Sequence, residues 1–379
     1  MKRSWLKAAV FALGAAALFA ACSAEEQTGY YYYVYAADAG AGKVSAFAIL
    51  SGGGLTEVAG SPFAVGAEPQ AVASDPEGKF LYVANYFSDT ISAFTVEKTT
   101  GALTAVAGSP FSAGLGPIAL TVDPSGKFLY VANADGGNIW PYGIDPDTGA
   151  LSAFGTLAAP SGLHTTSVAV EPTGKFLYAA NEYSGTVTAY AINAGSGELA
   201  ALAGSPFATG GYPRSVAVDP SGKYLYAANT TTRNVSAFTI DPATGALAVI
   251  AGSPYAAGNN ASSVTVDPLG EFVYVTNTDG STVSAYAINK DTGALSAVSG
   301  SPYNAGAAPV AAAIDPGGEF IYVANYWSDD ITAYSISSTG TLSENNRSPF
   351  ALADGAHPSG LTVIRIAQQT PARTDQGRK

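Results

Sequence analysis

Two histidines and one cysteine make up the chain's whole stock of imidazole and thiol: His164, His357 and Cys22 in 379 residues. His164 precedes Glu182 on one repeating unit, and Arg214 stands on the next. A carboxylate, an imidazole and a guanidinium converging on one pocket could open a cyclic ester. Glu182 or His164 would take a proton from water as general base. Arg214 would stabilise the developing oxyanion, or grip a substrate carboxylate in its fork. Arg233 is a third candidate in the same sector, with Tyr183 and Tyr212 as neighbouring ligand contacts. Tyr86, Phe87, Tyr326 and Trp327 could form an aromatic lip for a sugar or a protein, or pack loop against loop. An Arg214–Glu182 contact could equally be a solvated ion pair, and His357 reads as a surface residue.

These residues stand out because the elements that carry them repeat. Asp-Pro-Glu-Gly-Lys-Phe-Leu-Tyr-Val-Ala-Asn fills 75–85, and relatives begin at Asp123, Glu171, Asp219, Asp267 and Asp315, each 48 residues after the last. A partial copy, Val34 to Asp38, comes first. The tyrosine therefore recurs seven times, at 35, 82, 130, 178, 226, 274 and 322. Each unit offers four β segments. An inner one such as Ser215–Val218 is followed by a type I turn, Asp219-Pro220-Ser221-Gly222. An aromatic-rich second segment and an alternating third follow, then a weaker fourth ending near Ser253-Pro254-Tyr255. Four short strands per repeat predict a β-propeller. The first copy lacks its inner strand, and the last is followed by an orphan one, His357 to Val363. The spacing therefore predicts an all-β, seven-bladed propeller of four-stranded blades, closed by N- and C-terminal strands sharing one blade, over residues 33–368.

In such a ring the shared residues build blades, and departures mark sites. The position before the inner strand reads Glu68, Gly116, His164, Tyr212, Asn260, Ala308 and His357. Two places on, Arg214 is the one charge. After the repeated Asn (Asp38 in the first copy) stand Ala39, Tyr86, Ala134, Glu182, Thr230, Thr278 and Tyr326, and Glu182 is the one charge. The Asn column itself reads as structural. Trp140-Pro141 in the third blade, and Leu157-Ala158-Ala159 where other copies have Ser-Pro-Phe/Tyr, add to the irregularity of blades three to five.

Residues 1–21 have a basic start, a short apolar run and small residues before Cys22, which predicts a secretory signal. Leu18 to Cys22 resembles the bacterial lipobox, making Cys22 the expected acylated residue, 22–32 a linker and 369–379 a polar tail. Acyl chains would tether an exported protein to the cell envelope by lipid alone. Without residues 1–21 the net charge falls from −12 to −15, which leaves no electrostatic footprint for nucleic acid. No metal cluster and no phosphate-cradling loop is legible, so neither metal nor cofactor is expected, and a monomer is.

The repeated Tyr-Val-Ala-Asn and Tyr-Val-Thr-Asn, preceded by Asp-Pro-x-Gly-Lys/Glu, resemble YVTN repeats and the β-propeller lactonase family, which includes 6-phosphogluconolactonase-like enzymes. Asn181-Glu182 is similar to that family's Asn-Glu-Leu motif with Tyr183 for Leu, and the resemblance implies a functional role for Glu182. Tyr212-Pro213-Arg214-Ser215 is similar to its Gly-Pro-Arg-His, with Ser215 in the place of His. The family carries both motifs on one blade. Here they lie one blade apart, and Thr165-Thr166-Ser167 occupies the same-blade position. Two readings lead: an anchored module binding a small ligand or an envelope protein, placed first, and a lactone hydrolase, placed second. A redox propeller has little support.

Overall fold

A computed structural model describes residues 29–154, 159–160 and 162–368; the expected signal, Cys22 and the polar tail lie outside the described residues. Seven antiparallel sheets form the ring, and no helix occurs among the described residues. The fourth blade shows the plan. Its inner strand, Thr165–Val170, pairs with Phe176–Asn181, which pairs with Thr186–Ile192. The outer strand is broken in two, Leu199–Ala201 and Phe207–Ala208, both pairing with Thr186–Ile192. Hence each sheet contains five strands while each blade is four deep.

Closure uses both chain ends. Tyr30–Asp38 pairs with Lys43–Ile49 on one side and with Pro358–Ala367 on the other, so the first blade takes its inner strand from the C-terminal end. The first strand starts at Tyr30, inside the segment expected to be linker. Every blade thereby has its inner strand.

The tyrosine column explains how flat sheets become a ring. All seven side chains are fully buried, and each hydroxyl donates to a glycine carbonyl in the outer hairpin of the next blade. Tyr35 reaches Gly101, Tyr82 Gly149, Tyr130 Gly197, Tyr178 Gly245, Tyr226 Gly293 and Tyr274 Gly340, all at 2.7–3.1 Å. Tyr322 reaches Gly53 at 3.1 Å and so locks the seventh blade to the first. Each such bond contributes about 1 kcal/mol net, and a buried hydroxyl left unpaired costs more. At Gly149, with φ of 74°, an added Cβ would lie 2.4 Å from the Phe80 ring. Glycine is required there both by the turn and by the packing.

The third blade's two sequence departures fall on a donor and an acceptor that the other blades pair; Leu157 and Ala158 lie outside the described residues. In the other six blades the Ser of the Ser-Pro element accepts a hydrogen bond from a third-strand amide, for example Ala93 N–H to Ser109 Oγ at 2.9 Å and Ala189 N–H to Ser205 Oγ at 2.8 Å. Pro141 pairs with Tyr130 as Ala93 pairs with Tyr82, so it occupies that donor position. Proline has no N–H to give. The blade that lost the donor is the blade whose sequence lacks the Ser acceptor, which accounts for the pair of departures without a ligand.

Candidate functional site

Every blade ties its two variable columns together with the same backbone bond. The amide after the repeated Asn donates to the carbonyl of the residue before the inner strand: Tyr86 to Glu68, Ala134 to Gly116, Glu182 to His164, Thr230 to Tyr212, Thr278 to Asn260, Tyr326 to Ala308 and Ala39 to His357, at 2.8–3.1 Å. This bond sets the side chains of the two columns next to one another on the rim. Six of the seven acceptor residues have φ between 51° and 64°, His164 among them at 59°. Holding a non-glycine residue there costs on the order of 1–2 kcal/mol.

In the fourth blade the columns bring His164 against Glu182. His164 Nδ1 lies 3.0 Å from Glu182 Oε2, with the two side chains 22% and 17% exposed. This contact leaves Nε2 of the imidazole free of the carboxylate. Tyr183 stacks on the imidazole, centroids 4.3 Å apart and planes 13° from parallel. Tyr212 meets Tyr183 edge-on at 6.4 Å, and both tyrosines are exposed. The imidazole is therefore fixed by a carboxylate at one edge and an aromatic ring on one face.

Glu182 also lines a cleft of about 420 Å³ beyond the fourth blade, with Arg214, Thr230, Thr231, Arg233, Asn259, Asn260 and Asp279. Arg214 and Arg233 are exposed, and neither guanidinium makes an ion pair within 4 Å among the described residues. The carboxylate that sequence places beside Arg214 is thus bonded to His164, and the two residues share the lining of the cleft. Asp279 receives a hydrogen bond from Asn260 Nδ2 at 3.2 Å. Arg233 has φ of 54°, at a position that is glycine in the first, third and fourth blades. At the same position Asp89 and Asp329 use their carboxylates to accept backbone N–H groups, which repays the conformation; the Arg233 side chain has no such task. Arg214 in addition lines the central channel, about 290 Å³, with Gln70, Ile118, Thr166, Ser262, Val310 and Ser359.

The aromatic candidates on the far rim split. Tyr86 donates its hydroxyl to Asp135 of the next blade at 3.0 Å; burial and that carboxylate push its pKa up to about 12. Tyr326 stacks on His357 at 4.9 Å. Phe87 and Trp327 remain 73% and 66% exposed. The residues that sequence did not single out are Asp135, Asp279, Asn260 and Asp329. The His164–Glu182 contact was within reach of the repeat alignment, since both residues sit at column positions of one blade. Among the described residues no group of three or more His, Cys, Asp or Glu side chains is placed to hold a metal ion.

A family profile described as "Lactonase, 7-bladed beta-propeller" matches residues 63–164, 156–257 and 250–362. The chain belongs to this lactonase family. Among solved structures, the lactonase-family propeller is similar to a candidate 6-phosphogluconolactonase from Bacteroides fragilis, at 23% identity over 88% of this chain and 98% of that one, TM-score 0.75. A candidate 6-phosphogluconolactonase from Bacteroides uniformis matches at 18% identity over 89% and 100%, TM-score 0.76. The periplasmic gluconolactonase of Pseudomonas aeruginosa matches at 19% identity over 90% and 100%, TM-score 0.73. At such identities these structures establish the shared fold. No curated protein matches the chain.

Proposed function

We propose that this lactonase-family propeller hydrolyses a lactone, with water attacking the ring carbonyl beside His164 and Glu182. The observation that carries the reading is the 3.0 Å His164–Glu182 contact at the edge of a cleft holding two arginines without ion partners. In that cleft the His164–Glu182 pair takes one proton from the attacking water. The new C–O bond forms as the carbonyl becomes an oxyanion, which Arg214 faces. The ring C–O bond then breaks, and the imidazolium returns the proton to the departing alkoxide. The product is an open hydroxy acid, whose carboxylate suits Arg214 and Arg233. Tyr183 and Tyr212 supply an aromatic wall for the C–H face of a sugar ring.

Support for placing hydrolysis ahead of the binding module comes from the family membership and from the periplasmic gluconolactonase among its structural relatives. Purified protein should open sugar lactones, followed by proton release at constant pH. Absence of turnover across sugar and muconate lactones sinks the reading. Exposed Phe87 and Trp327 favour a second reading, a glycan or envelope protein held on the far rim, tested by envelope pull-down with and without Trp327→Ala. Export and acylation at Cys22 are part of the proposal, and an unmodified Cys22 in the mass spectrum of the mature N-terminus contradicts the acylation.

A further inference from the structure

The second strand ends on Asn in six blades, at 85, 133, 181, 229, 277 and 325, and all six side chains are fully buried. In five of them the amide nitrogen donates to two third-strand side chains. Asn85 serves Thr90 and Ser92, Asn181 Thr186 and Thr188, Asn229 Asn234 and Ser236, Asn277 Thr282 and Ser284, and Asn325 Asp330 and Thr332. The third blade, with Trp140 in place of the Ser or Thr, keeps the first of these, Asn133 to Asn138.

The blade in which the chain ends meet departs from this in two linked ways. It has Asp38 in place of Asn, and Lys43 where its siblings have a Thr, Asn or Asp acceptor. A donor has become an acceptor, and the acceptor five places on has become a cation. Asp38 is 1% exposed. Its Oδ2 accepts from Ser45 Oγ at 2.7 Å, while Oδ1 is buried with no partner. Lys43 is exposed and makes no ion pair with it within 4 Å.

An ionised carboxyl with one bare oxygen is costly inside a protein. A neutral carboxyl, by contrast, has one O–H donor to give to Ser45, where the sibling amides give two N–H donors to two partners. Asp38 sits where the register between Tyr30–Asp38 and Pro358–Ala367 shifts, opposite Pro358, so this side chain belongs to the joint between the chain ends.

We propose that Asp38 is a proton-operated latch on ring closure: protonated, it donates to Ser45 as Asn donates to the matching Ser or Thr of other blades, and ionised, its buried charge weakens the joint between the terminal strands. Three charged or titratable groups face it from the packed elements. Lys43, on the strand Lys43–Ile49, favours the carboxylate. Asp329, from the seventh blade, opposes it. His357, at the entry to Pro358–Ala367, is tied to Asp329 at 3.0 Å. Burial outweighs the rest and pushes the carboxyl up to about 7. Because the folded value lies above the unfolded one of about 3.9, the stabilising contribution is full below about pH 4 and is lost as pH rises through about 7.

The test compares the full chain with Asp38→Asn, which restores the sibling residue. Wild-type Tm should fall relative to the variant between about pH 4 and pH 7, and the two should converge near pH 4. Amides of Tyr30–Asp38, corrected for intrinsic exchange, should lose protection at pH 8 in the wild type alone. The side-chain carboxyl 13C resonance of wild-type Asp38 should titrate near neutrality. A midpoint at or below about pH 5, or an identical pH dependence of Tm in both proteins, overturns the latch. The 13C titration needs only the wild type, so it decides the matter even if Asp38→Asn fails to fold.

Discussion

The fourth and first blades each place a histidine at the same repeat position, and the two imidazoles have been put to different uses. His164 finds Glu182 and Tyr183 on its own blade, one at the ring edge and one on the ring face. At the corresponding places His357 has Ala39 and Gly40. A Cβ at Gly40 would lie 2.8 Å from the His357 ring, so no aromatic residue fits there. His357 turns to the seventh blade instead. Its Nδ1 lies 3.0 Å from the Tyr326 carbonyl oxygen, and its ring stacks on Tyr326. Asp329, the carboxylate at that station, already accepts the N–H groups of His357 and Gly355 at 2.7 and 2.8 Å. Those bonds overcome the burial that works against the charge and hold Asp329 below the usual carboxylate range. Each carboxylate holds an imidazole at 3.0 Å, but Asp329 is also committed to backbone N–H groups, whereas Glu182 borders an open cleft. The neighbouring residue types decide whether a rim imidazole is stacked within the next blade's loop or held beside the cleft.

Substitutions at the two stations can break this contrast. Glu182→Gln should reduce kcat/KM for a hydrolysed lactone by about 10²–10⁴-fold with unchanged circular dichroism. His164→Gln should cost about 10²-fold in kcat/KM. His357→Asn, by contrast, should leave turnover within about twofold while lowering Tm, because it loses about 1 kcal/mol of stacking. Equal losses at the two histidines would erase the distinction. Arg214→Gln should lower kcat by about 10²-fold, as the loss of an oxyanion-stabilising group does, and raise KM as well where the same guanidinium grips the substrate. Arg233→Gly should raise KM as well, yet keep stability within about 1 kcal/mol of wild type, since glycine accepts the left-handed backbone freely. Tyr183→Leu should have the smallest effect, a few-fold in kcat/KM, because the stacking is worth about 0.5–1.5 kcal/mol. A loss as large as that of Glu182→Gln would instead mark Tyr183 as a direct participant.

The architecture was legible because a propeller repeats its physics. Tyr, Gly and the turn motif recur at a fixed interval, and the missing and orphan strands at the chain ends announce closure. The rim was legible only as columns. His164 and Glu182 stood out as departures, yet their pairing depends on the backbone bond between columns, which has no sequence signature of its own. Pro141 and the missing Ser-Pro looked like marks of a site. Pro141 has no N–H for the bond that the Ser accepts in the other six blades, a link between strands that neither segment reveals when read alone. Asp38 passed as a variant of Asn, since its consequence lies in burial and in the bare Oδ1.

The strand Tyr30–Asp38 runs from one face of the ring to the other. Asp38 ends at the rim beside His357, and a nine-residue strand places Tyr30 about 30 Å away. The far end of the last strand returns to that same face, where Gln368 N–H donates to the Gly29 carbonyl at 2.8 Å. Gly29 and Gln368 therefore both lie on the side opposite the cleft. A fusion partner, affinity handle or surface linkage joined at Gly29 or Gln368 would present the arginine cleft outward, so an immobilised preparation should keep the access that the free protein has.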